Sequence, residues 1–249
     1  LSPLFDLIRD PRYGRNEECY GADPYLVGEM GTAFVCGMQG DPEQTVNGIP
    51  EGKIACVAKH FAGYSFPIAG INVAPASIGE RDMRTYFLPP FEKVVKAGNV
   101  YGIMPSYNEV DGMPAHANKF LIQQVLRDEW GFKGYVFSDY MGLWQLADMH
   151  KVEAGKPEAA LRGLRTGVDM EAPIPYVYPE LVNLVREGKV DEKEVDRAVR
   201  RVLTIKFKAG LFEKALPDPK KAKKILHSPR HQALAKQMSD ESVVLLQNN

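Results

Sequence analysis

The sequence has no long apolar run and no excess of charge of either sign. No stretch of about 18 consecutive apolar residues occurs, which excludes a transmembrane helix. Lysine and arginine number 31 against 32 aspartates and glutamates among 249 residues, so neither a nucleic-acid surface nor a polybasic membrane anchor is indicated. The basic segment 220–224 is short and helix-like, and we interpret it as a solvated helix face.

Cysteine is also scarce. Cys19, Cys36 and Cys56 fit no zinc or redox spacing, and an odd number cannot close a disulfide framework. We interpret them as small buried hydrophobic residues. Four histidines lack the spacing of metal ligands, so no metal or other cofactor is predicted: they are His116, His150, His227 and His231. No signal peptide is visible, and because the chain starts at Leu1 rather than Met, a periplasmic or secreted location stays open.

What is present is an alternation of short β-rich apolar runs with longer helical stretches. The predicted strands are 53–58, 99–104, 135–137 and, more weakly, 167–170, and the predicted helices between them are 81–97, 118–129 and 156–166. Strict alternation predicts a parallel sheet with crossover helices. Because the strands lack an inside/outside alternation, we expect both faces of the sheet to be buried.

Polar residues follow each predicted strand. They are Lys59-His60, Ser106-Tyr107-Asn108, Ser138-Asp139 and Glu171. A (β/α)8 barrel builds its active site from groups at the C-terminal ends of successive parallel strands, although an open doubly wound sheet also binds its ligand there. Neither Gly-x-Gly-x-x-Gly nor Gly-x-x-x-x-Gly-Lys-Ser/Thr occurs, which disfavours a nucleotide-binding sheet. We therefore predict an α/β fold of the (β/α)8 TIM-barrel type.

Beyond residue 175 the pattern becomes helical. Helices are predicted at about 178–187, 191–209 and 230–241, and a linker is predicted around Pro217 and Pro219. Asp191 is expected to cap the second helix with Glu194 three residues on, and Gly210 to end it. The predicted domains are a catalytic barrel at 1–212, a linker and helix at 213–241, and the start of a second α/β sandwich domain at 242–249. We expect a barrel that is incomplete at its N-terminus and a second domain that is cut short.

Asp139 is the first candidate for chemistry. The apolar run 135–137 precedes it, and the aromatic residues Tyr140 and Trp144 follow. An aspartate after a strand is commonly a helix cap or a turn residue. A carboxylate in a partly desolvated, aromatic-lined pocket can instead act as a nucleophile. Both interpretations are open on spacing alone.

Lys59, His60 and the segment 10–18 form the second group of candidates. Adjacent residues on a regular strand point to opposite faces, so Lys59 and His60 reach one ligand only where the strand ends or bulges. The alternative is a solvent-exposed strand end. In the segment 10–18, Arg12 and Arg15 offer a fixed fork of donors for a carboxylate or vicinal hydroxyls, and a structural salt bridge is the alternative for each.

These motifs together resemble glycoside hydrolase family 3, the β-glucosidase and β-xylosidase family. The matching stretches are 9–15 with 20–24, 59–63, 80–84 leading into 87–91, 104–108 and 138–140, and the run 242–248 resembles the opening of that family's second domain. The resemblance covers essentially the whole chain. It implies a barrel domain, hydrolysis of β-glycosidic bonds, and a small oligosaccharide or β-glycoside as substrate, with neither nucleic acid nor membrane as partner.

The resemblance also implies roles for individual residues. Asp139 matches the catalytic nucleophile that forms a covalent glycosyl-enzyme during retaining hydrolysis. The residues that match positions around the bound sugar are Arg15, Lys59 and His60, which hold its hydroxyls, Tyr107 beside the nucleophile, and Met104 in the wall. Tyr140 stands where a tryptophan is common. The loop 62–67 has no histidine, which argues against an N-acetylglucosaminidase.

Two departures from the family pattern matter. Its barrel begins well before the equivalent of Leu1, and its acid/base glutamate lies in the second domain, beyond the equivalent of Asn249. We therefore assign no acid/base residue. Glu80 and Glu171 are candidates, but Glu80 is expected to cap or pair at a helix start, and Glu171 belongs to no motif. The expected reaction releases terminal β-linked glucose or xylose from oligosaccharides. The alternative is a non-catalytic or inactive barrel fragment that binds sugar, or that requires its missing segments or another chain.

Overall fold

The computed structural model describes residues 1–213 and 218–248, which places Pro217 and Asn249 outside the described residues. The chain divides into two compact units, Leu1–Phe212 and Glu213–Asn249. In the part of the chain that the structure describes, no helix has the length and apolarity needed to cross a bilayer.

The elements follow one another in a regular order. The helices are α1 (Pro24–Gln39), α2 (Pro42–Thr45), α3 (Glu80–Asp82), α4 (Pro89–Ala97), α5 (Gly142–Asp148), α6 (Lys156–Thr166), α7 (Leu181–Arg186), α8 (Glu192–Lys208), α9 (Pro219–Ile225) and α10 (Pro229–Glu241), with π-helical segments at Met83–Phe87 and Phe120–Glu129 and short 3-10 turns at Asn16–Glu18, Ile68–Gly70, Ala115–Ala117 and Tyr178–Glu180. The strands are β1 (Val57–Phe61), β2 (Gly102–Pro105), β3 (Glu109–Val110), β4 (Met113–Pro114), β5 (Tyr135–Tyr140) and β6 (Met170–Ala172).

Four of these strands form one parallel sheet in the order β1-β2-β5-β6, as predicted, and β3 and β4 form a separate hairpin. The amino-terminal segment lies parallel to the outer side of β1: Phe5 N donates to Lys59 O at 2.6 Å, and Val57 N donates to Ser2 O at 3.0 Å. Helices connect successive strands, so all the C-terminal strand ends meet at one edge of the sheet. That edge is where a barrel places its site.

The predicted bounds of the first two strands were wrong. The first strand runs from Val57 to Phe61 rather than over 53–58, because Ile54 N bonds to Met38 O at the end of α1 and the Ile54 side chain is 58% exposed. Lys59 and His60 therefore lie within β1 and not after it. The second strand starts at Gly102, since Val100 N still bonds to Val94 O of α4.

The later strands also shift. β5 begins at Tyr135 as predicted but continues through Asp139 to Tyr140, so Asp139 lies within the strand rather than after it. The weak prediction at 167–170 moves to β6, because Gly167 ends α6 with a φ of 108°. The helix α5 and the hairpin of β3 and β4 were not predicted.

Local signals account for the long helix α8. The Asp191 side chain accepts from Lys193 N at 3.0 Å, which satisfies an otherwise unpaired donor at the helix start. Gly210 follows the helix with a φ of 65°, as expected for a glycine that ends a helix. The Glu194 carboxylate accepts from Arg165 at 3.3 Å, and Arg165 together with the backbone of Asp191 lowers the pKa of Glu194.

The core lies between the sheet and its helices. Phe5, Phe61 and Phe91 meet there, with ring centroids 5.3 and 5.1 Å from the ring of Phe91. Below β5, Asp169 is buried between the guanidinium groups of Arg127 and Arg201, each 2.8 Å away, and its Oδ2 accepts from Val136 N at 2.9 Å. Packing and this ion cluster together fix the position of β5.

Candidate active site

The predicted site residues come together at the C-terminal edge of the sheet. His60 Nε2 lies 3.6 Å from Asp139 Oδ2 and 3.4 Å from Arg15 Nη1. The Tyr107 hydroxyl donates to the carbonyl oxygen of Tyr140 at 2.8 Å. Four segments thus bring polar groups to one place: β1, β5, the loop that contains Arg15, and the loop after β2 that contains Tyr107.

One carboxylate oxygen of Asp139 accepts a hydrogen bond, and the other accepts none from the described residues. Oδ1 accepts from Tyr140 N at 2.7 Å, whereas Oδ2 is buried and has no hydrogen-bond partner among the described residues. The residue is only 8% exposed. The helix-cap interpretation is wrong, because α5 has Met141 at its N-cap position and no side chain caps it. A buried carboxylate oxygen that is left unpaired is costly, and such cost is typical of functional positions.

His60 is oriented by a second carboxylate, Asp6. The Asp6 Oδ2 atom lies 2.7 Å from His60 Nδ1 and accepts from the His60 backbone N at 3.3 Å. Because Nδ1 faces a carboxylate, we assign its proton to that nitrogen, which leaves the lone pair of Nε2 as an acceptor for the guanidinium of Arg15. His60 is 1% exposed, so the solvent-exposed strand end is wrong for this residue. An acid within the apolar run Leu4-Phe5-Asp6-Leu7 was the signal that sequence reasoning missed.

The irregularity that Lys59 and His60 need is present in β1. The register with β2 shifts between Lys59 and Phe61, so the strict alternation of side chains is interrupted there. Lys59 is half-buried and pairs in register with Met104, which is buried in β2. Lys59 Nζ makes neither an ion pair nor a hydrogen bond with residues 1–213 and 218–248. The hydrogen bonds from Arg15 lower the pKa of Glu18, and the positive charge of Lys59 acts in the same direction.

The two arginines of the segment 10–18 differ. The guanidinium of Arg15 makes a bidentate pair with Glu18, at 2.6 and 2.8 Å, and lies 5.6 Å from the centre of the Tyr64 ring. The Glu18 carboxylate raises the pKa of Arg15, which is therefore always charged. Arg12 instead pairs with Asp10 at 2.8 Å, as the structural alternative predicts. Only Arg15 contacts His60.

Tyrosine rings form the wall of the site. Tyr64 lies 4.7 Å from His60 and 6.1 Å from Tyr107, measured between ring centres. Burial raises the pKa of Tyr64 to about 12, and burial together with the Asp139 carboxylate raises the pKa of Tyr107 further. Both phenols therefore keep their protons. Tyr140 is 50% exposed at the rim, whereas Trp144 packs against Tyr176 at 5.6 Å.

The two glutamates weighed as an acid/base have other partners. Glu80 Oε1 accepts from Arg84 Nε at 2.8 Å at the start of α3, as expected for a residue that pairs there. The Glu171 carboxylate accepts from three successive backbone N–H groups of residues 176–178, each at 2.9 Å. Among the described residues, no group of three or more His, Cys, Asp or Glu side chains is arranged to hold a metal ion.

Sequence reasoning also set aside His116, because it lacked ligand spacing. Its Nε2 accepts from the backbone N of Asp139 at 3.0 Å. No local sequence pattern predicts this contact, because 23 residues separate the two partners. His116 lies in the 3-10 turn Ala115–Ala117, directly after β4.

Comparisons with known proteins give a consistent result. A β-xylosidase from Formosa agariphila is 37% identical over 257 residues, covering 100% of this chain and 35% of that protein. A lysosomal β-glucosidase from Dictyostelium discoideum is 34% identical over 251 residues, covering 100% of this chain and 31% of that protein. The chain therefore spans about a third of the length of the curated relatives it matches.

Solved structures agree in fold. A β-glucosidase from Erythrobacter marinus superposes with a TM-score of 0.96 at 45% identity, covering all of this chain and 33% of that chain. A β-glucosidase from Listeria innocua with one aspartate replaced by alanine, solved in complex with laminaribiose, gives 0.92 at 36% identity, covering 100% of this chain and 34% of that chain. These matches confirm the predicted α/β fold class. Residues 1–205 match the model of the glycosyl hydrolase family 3 N-terminal domain, and the chain belongs to that family.

Proposed function

We propose that this chain carries the nucleophile of a retaining glycosidase that releases terminal β-linked glucose or xylose. The single observation that carries the proposal is Asp139 Oδ2, a buried carboxylate oxygen that no described residue bonds. It lies within 3.6 Å of His60 at the edge of a parallel sheet. The names of the relatives support the substrate class, because they include both β-glucosidases and β-xylosidases.

The chemistry follows from this geometry. Asp139 Oδ2 attacks the anomeric carbon while the bond to the aglycone oxygen breaks, which gives a covalent glycosyl-enzyme. Water then attacks the same carbon from the opposite face and returns the electron pair to the carboxylate. Two inversions give net retention. The N–H of Tyr140 remains on Oδ1 throughout and stabilises the carboxylate each time it is released.

The neighbouring residues bind the sugar in this scheme. Arg15 and Lys59 donate charge-assisted hydrogen bonds to hydroxyl groups, and His60 Nε2 accepts one. Tyr107 and Met104 line the pocket that holds the ring, and the exposed ring of Tyr140 stacks on the neighbouring sugar. No cofactor takes part.

The acid/base of this scheme is a carboxyl group that we place beyond Asn249. A general acid needs a raised pKa, whereas Arg15 lowers the pKa of Glu18, a carboxylate beside the site. Glu80 is held by Arg84, and Glu171 by backbone N–H groups. Both carboxylates are therefore engaged by groups that favour the ionised form, which argues against both for the acid/base role.

Covalent trapping tests the proposal. The complete enzyme is incubated with a 2,4-dinitrophenyl 2-deoxy-2-fluoro-β-glucoside, whose fluorine slows both steps and whose leaving group needs no acid. We expect one fluoro-sugar on the peptide that contains Asp139. Asp139→Asn should abolish labelling and lower turnover by several orders of magnitude. Asp148→Asn is the matched control, since Asp148 is exposed at the end of α5.

Four outcomes contradict the proposal. Labelling of a different carboxylate moves the nucleophile, and near-normal hydrolysis by Asp139→Asn removes Asp139 from the mechanism. Release of the α-anomer first from a β-glucoside, seen by proton NMR, excludes retention. A protein that binds glucose but forms no adduct and hydrolyses no glycoside would instead be the non-catalytic sugar-binding alternative.

A further inference from the structure

The backbone around Asp139 departs from a regular strand. Phe137 pairs with Met170 and Tyr140 pairs with Ala172, so three steps along β5 correspond to two steps along β6. This is the count of a β-bulge, which inserts one extra residue and leaves it outside the regular ladder. Ser138 uses its side chain there, where its Oγ accepts from Ala172 N at 2.9 Å. The N–H of Asp139 needs an acceptor from elsewhere.

His116 supplies that acceptor. Its Nε2 accepts from Asp139 N at 3.0 Å. The side chain comes from the turn Ala115–Ala117, directly after the hairpin of β3 and β4, and it is 1% exposed. The acceptor is therefore built into the fold and is not a solvent molecule that any surface could provide.

The imidazole ring has little room to move. A Cβ atom at Gly142, the first residue of α5, would lie 2.4 Å from two atoms of the ring. The Tyr107 ring lies 6.5 Å away, centre to centre. Gly142 thus permits a close approach that any other residue would prevent, and the ring sits between α5 and the wall of the site.

The ring is also held in one chemical state. Burial lowers the pKa of His116 to about 4, with His150 and His60 acting in the same direction and Asp139 opposing them. Because Asp139 N is a donor, the lone pair of neutral His116 must be on Nε2 and its proton on Nδ1. A neutral ring of this tautomer is a fixed acceptor for one backbone group.

We propose that His116 is a positioning residue for the nucleophile, which holds the bulged backbone of Asp139 so that Oδ2 stays directed at the anomeric carbon. This inference rests on the proposed function. His116 touches neither sugar nor the reacting oxygen; it acts through the N–H of Asp139, while the N–H of Tyr140 fixes Oδ1. The two contacts together leave one rotational position for the carboxylate.

The test measures nucleophilic attack alone. Saturating 2,4-dinitrophenyl 2-deoxy-2-fluoro-β-glucoside gives a first-order trapping constant for the complete enzyme, independent of the acid/base. We expect His116→Leu and His116→Asn to lower this constant about 10- to 100-fold, since a buried donor loses its acceptor. His116→Gln should stay within about threefold, because its amide oxygen reaches the position of Nε2. Affinity for glucose should be unchanged in all three variants.

His150→Gln is the matched control. His150 is also a buried histidine, but its Nδ1 bonds to Glu109 at 2.8 Å and not to β5. Its trapping constant should match the unchanged enzyme. Melting temperatures and active-site titration give the folded fraction of each variant. If His116→Leu does not fold, His116→Asn decides the matter, because asparagine is polar and too short to reach Asp139 N.

The outcomes separate this inference from the proposed function. An adduct on Asp139 that forms at equal rates in all His116 variants overturns the inference alone. Equal losses in His116→Gln and His116→Leu also overturn it, since the acceptor would then not be what matters. Absence of any adduct on Asp139 in the unchanged enzyme overturns the proposed function and this inference together.

Discussion

Lys59 and His60 are neighbours in the chain but differ in whether a buried carboxylate is bonded to them. His60 is bonded to the buried carboxylate of Asp6, whereas Lys59 pairs with no carboxylate among the described residues. Removal of one partner from a buried pair leaves an uncompensated charge, and this is strongly destabilising. Substitutions at these two residues should therefore separate an effect on sugar binding from an effect on stability, although both residues lie in the same bulged part of β1.

This difference gives a prediction for single substitutions. Lys59→Ala should lower kcat/KM about 10- to 150-fold, which corresponds to a charge-assisted hydrogen bond of about 1.5–3 kcal/mol, with an unchanged melting temperature. His60→Ala should lower both kcat/KM and the melting temperature, because Asp6 loses its partner. Steady-state kinetics and thermal melts of the complete enzyme measure the two effects. Asp23→Asn is the control, since asparagine caps α1 as well as aspartate does.

Two results would contradict this assignment. A Lys59→Ala variant that melts well below the unchanged enzyme but keeps its kinetics would make Lys59 structural. A His60→Ala variant with normal stability would mean that Asp6 finds another partner in the folded protein.

The same residues show which parts of the candidate site can be predicted from the sequence. The position of Asp139 after an apolar run, and the polar residues Lys59, His60 and Arg15, made these residues candidates from spacing alone, but each kept a structural alternative until the family resemblance selected between them. Asp6 and His116 were not predictable by these means. Their partners are 54 and 23 residues away, and only the paired sheet brings them together. An acid inside an apolar run marks Asp6 as unusual, but its partner is determined by tertiary contact, and no local pattern identifies that partner.

At the scale of elements, the order of the strands and helices is predicted from the sequence more accurately than the residues at which they begin and end. The run 53–58 is apolar, but its first half bonds to the end of α1 and not to the sheet. Strand ends depend on which neighbour accepts each backbone group, and this is not a local property. The helix α5 was missed for a related reason: it follows Met141 in a left-handed conformation without a capping side chain.

The contact between α5 and the site gives a second prediction. Gly142→Ala should destabilise the protein by about 1–3 kcal/mol, because the added methyl group displaces the His116 ring. Gly37→Ala is the matched control in α1, where a Cβ would have no atom within 4 Å. It should stabilise the protein by about 0.5–1 kcal/mol, since alanine is the better helix former. Urea unfolding at equilibrium measures both.

The stabilities of Gly142→Ala and Gly37→Ala test whether the His116 ring is held in place. If Gly142→Ala were as stable as the unchanged protein, the ring of His116 would be free to move, and its positioning role would lose support. Gly142→Ala should also lower the trapping constant, whereas Gly37→Ala should not.

At the scale of the whole molecule, the two compact units can be followed separately. Both tryptophans, Trp130 and Trp144, belong to the unit Leu1–Phe212. Tryptophan fluorescence therefore reports the unfolding of the unit that contains the site. This makes the acid sensitivity of that unit measurable in the intact chain.

We predict a loss of stability in acid that depends on His116. Its pKa is about 4 in the folded protein against 6.5 for an ordinary histidine, so the unfolded chain binds a proton that the folded chain does not between these values. The free energy of unfolding should therefore fall as the pH drops from about 6.5 to about 4, by about 3 kcal/mol, and this contribution should level off below pH 4. The charged and titratable groups that act on the ring are Asp139, His150 and His60.

The measurement is urea unfolding by tryptophan fluorescence across this pH range. His116→Gln should remove this component of the slope, and His231→Gln, at an exposed histidine of α10, should keep it. Identical slopes for His116→Gln and the unchanged protein would show that another group is responsible.

The bulge in β5 has a consequence for how the chain can vary in length. Side chains alternate between the two faces of a strand, so a shift of one residue moves each of them to the other face. Deleting one residue between Phe137 and Tyr140 would restore regular pairing with β6, yet it would turn the remaining carboxylate away from His60. Insertions and deletions at this strand end are therefore more damaging than most substitutions.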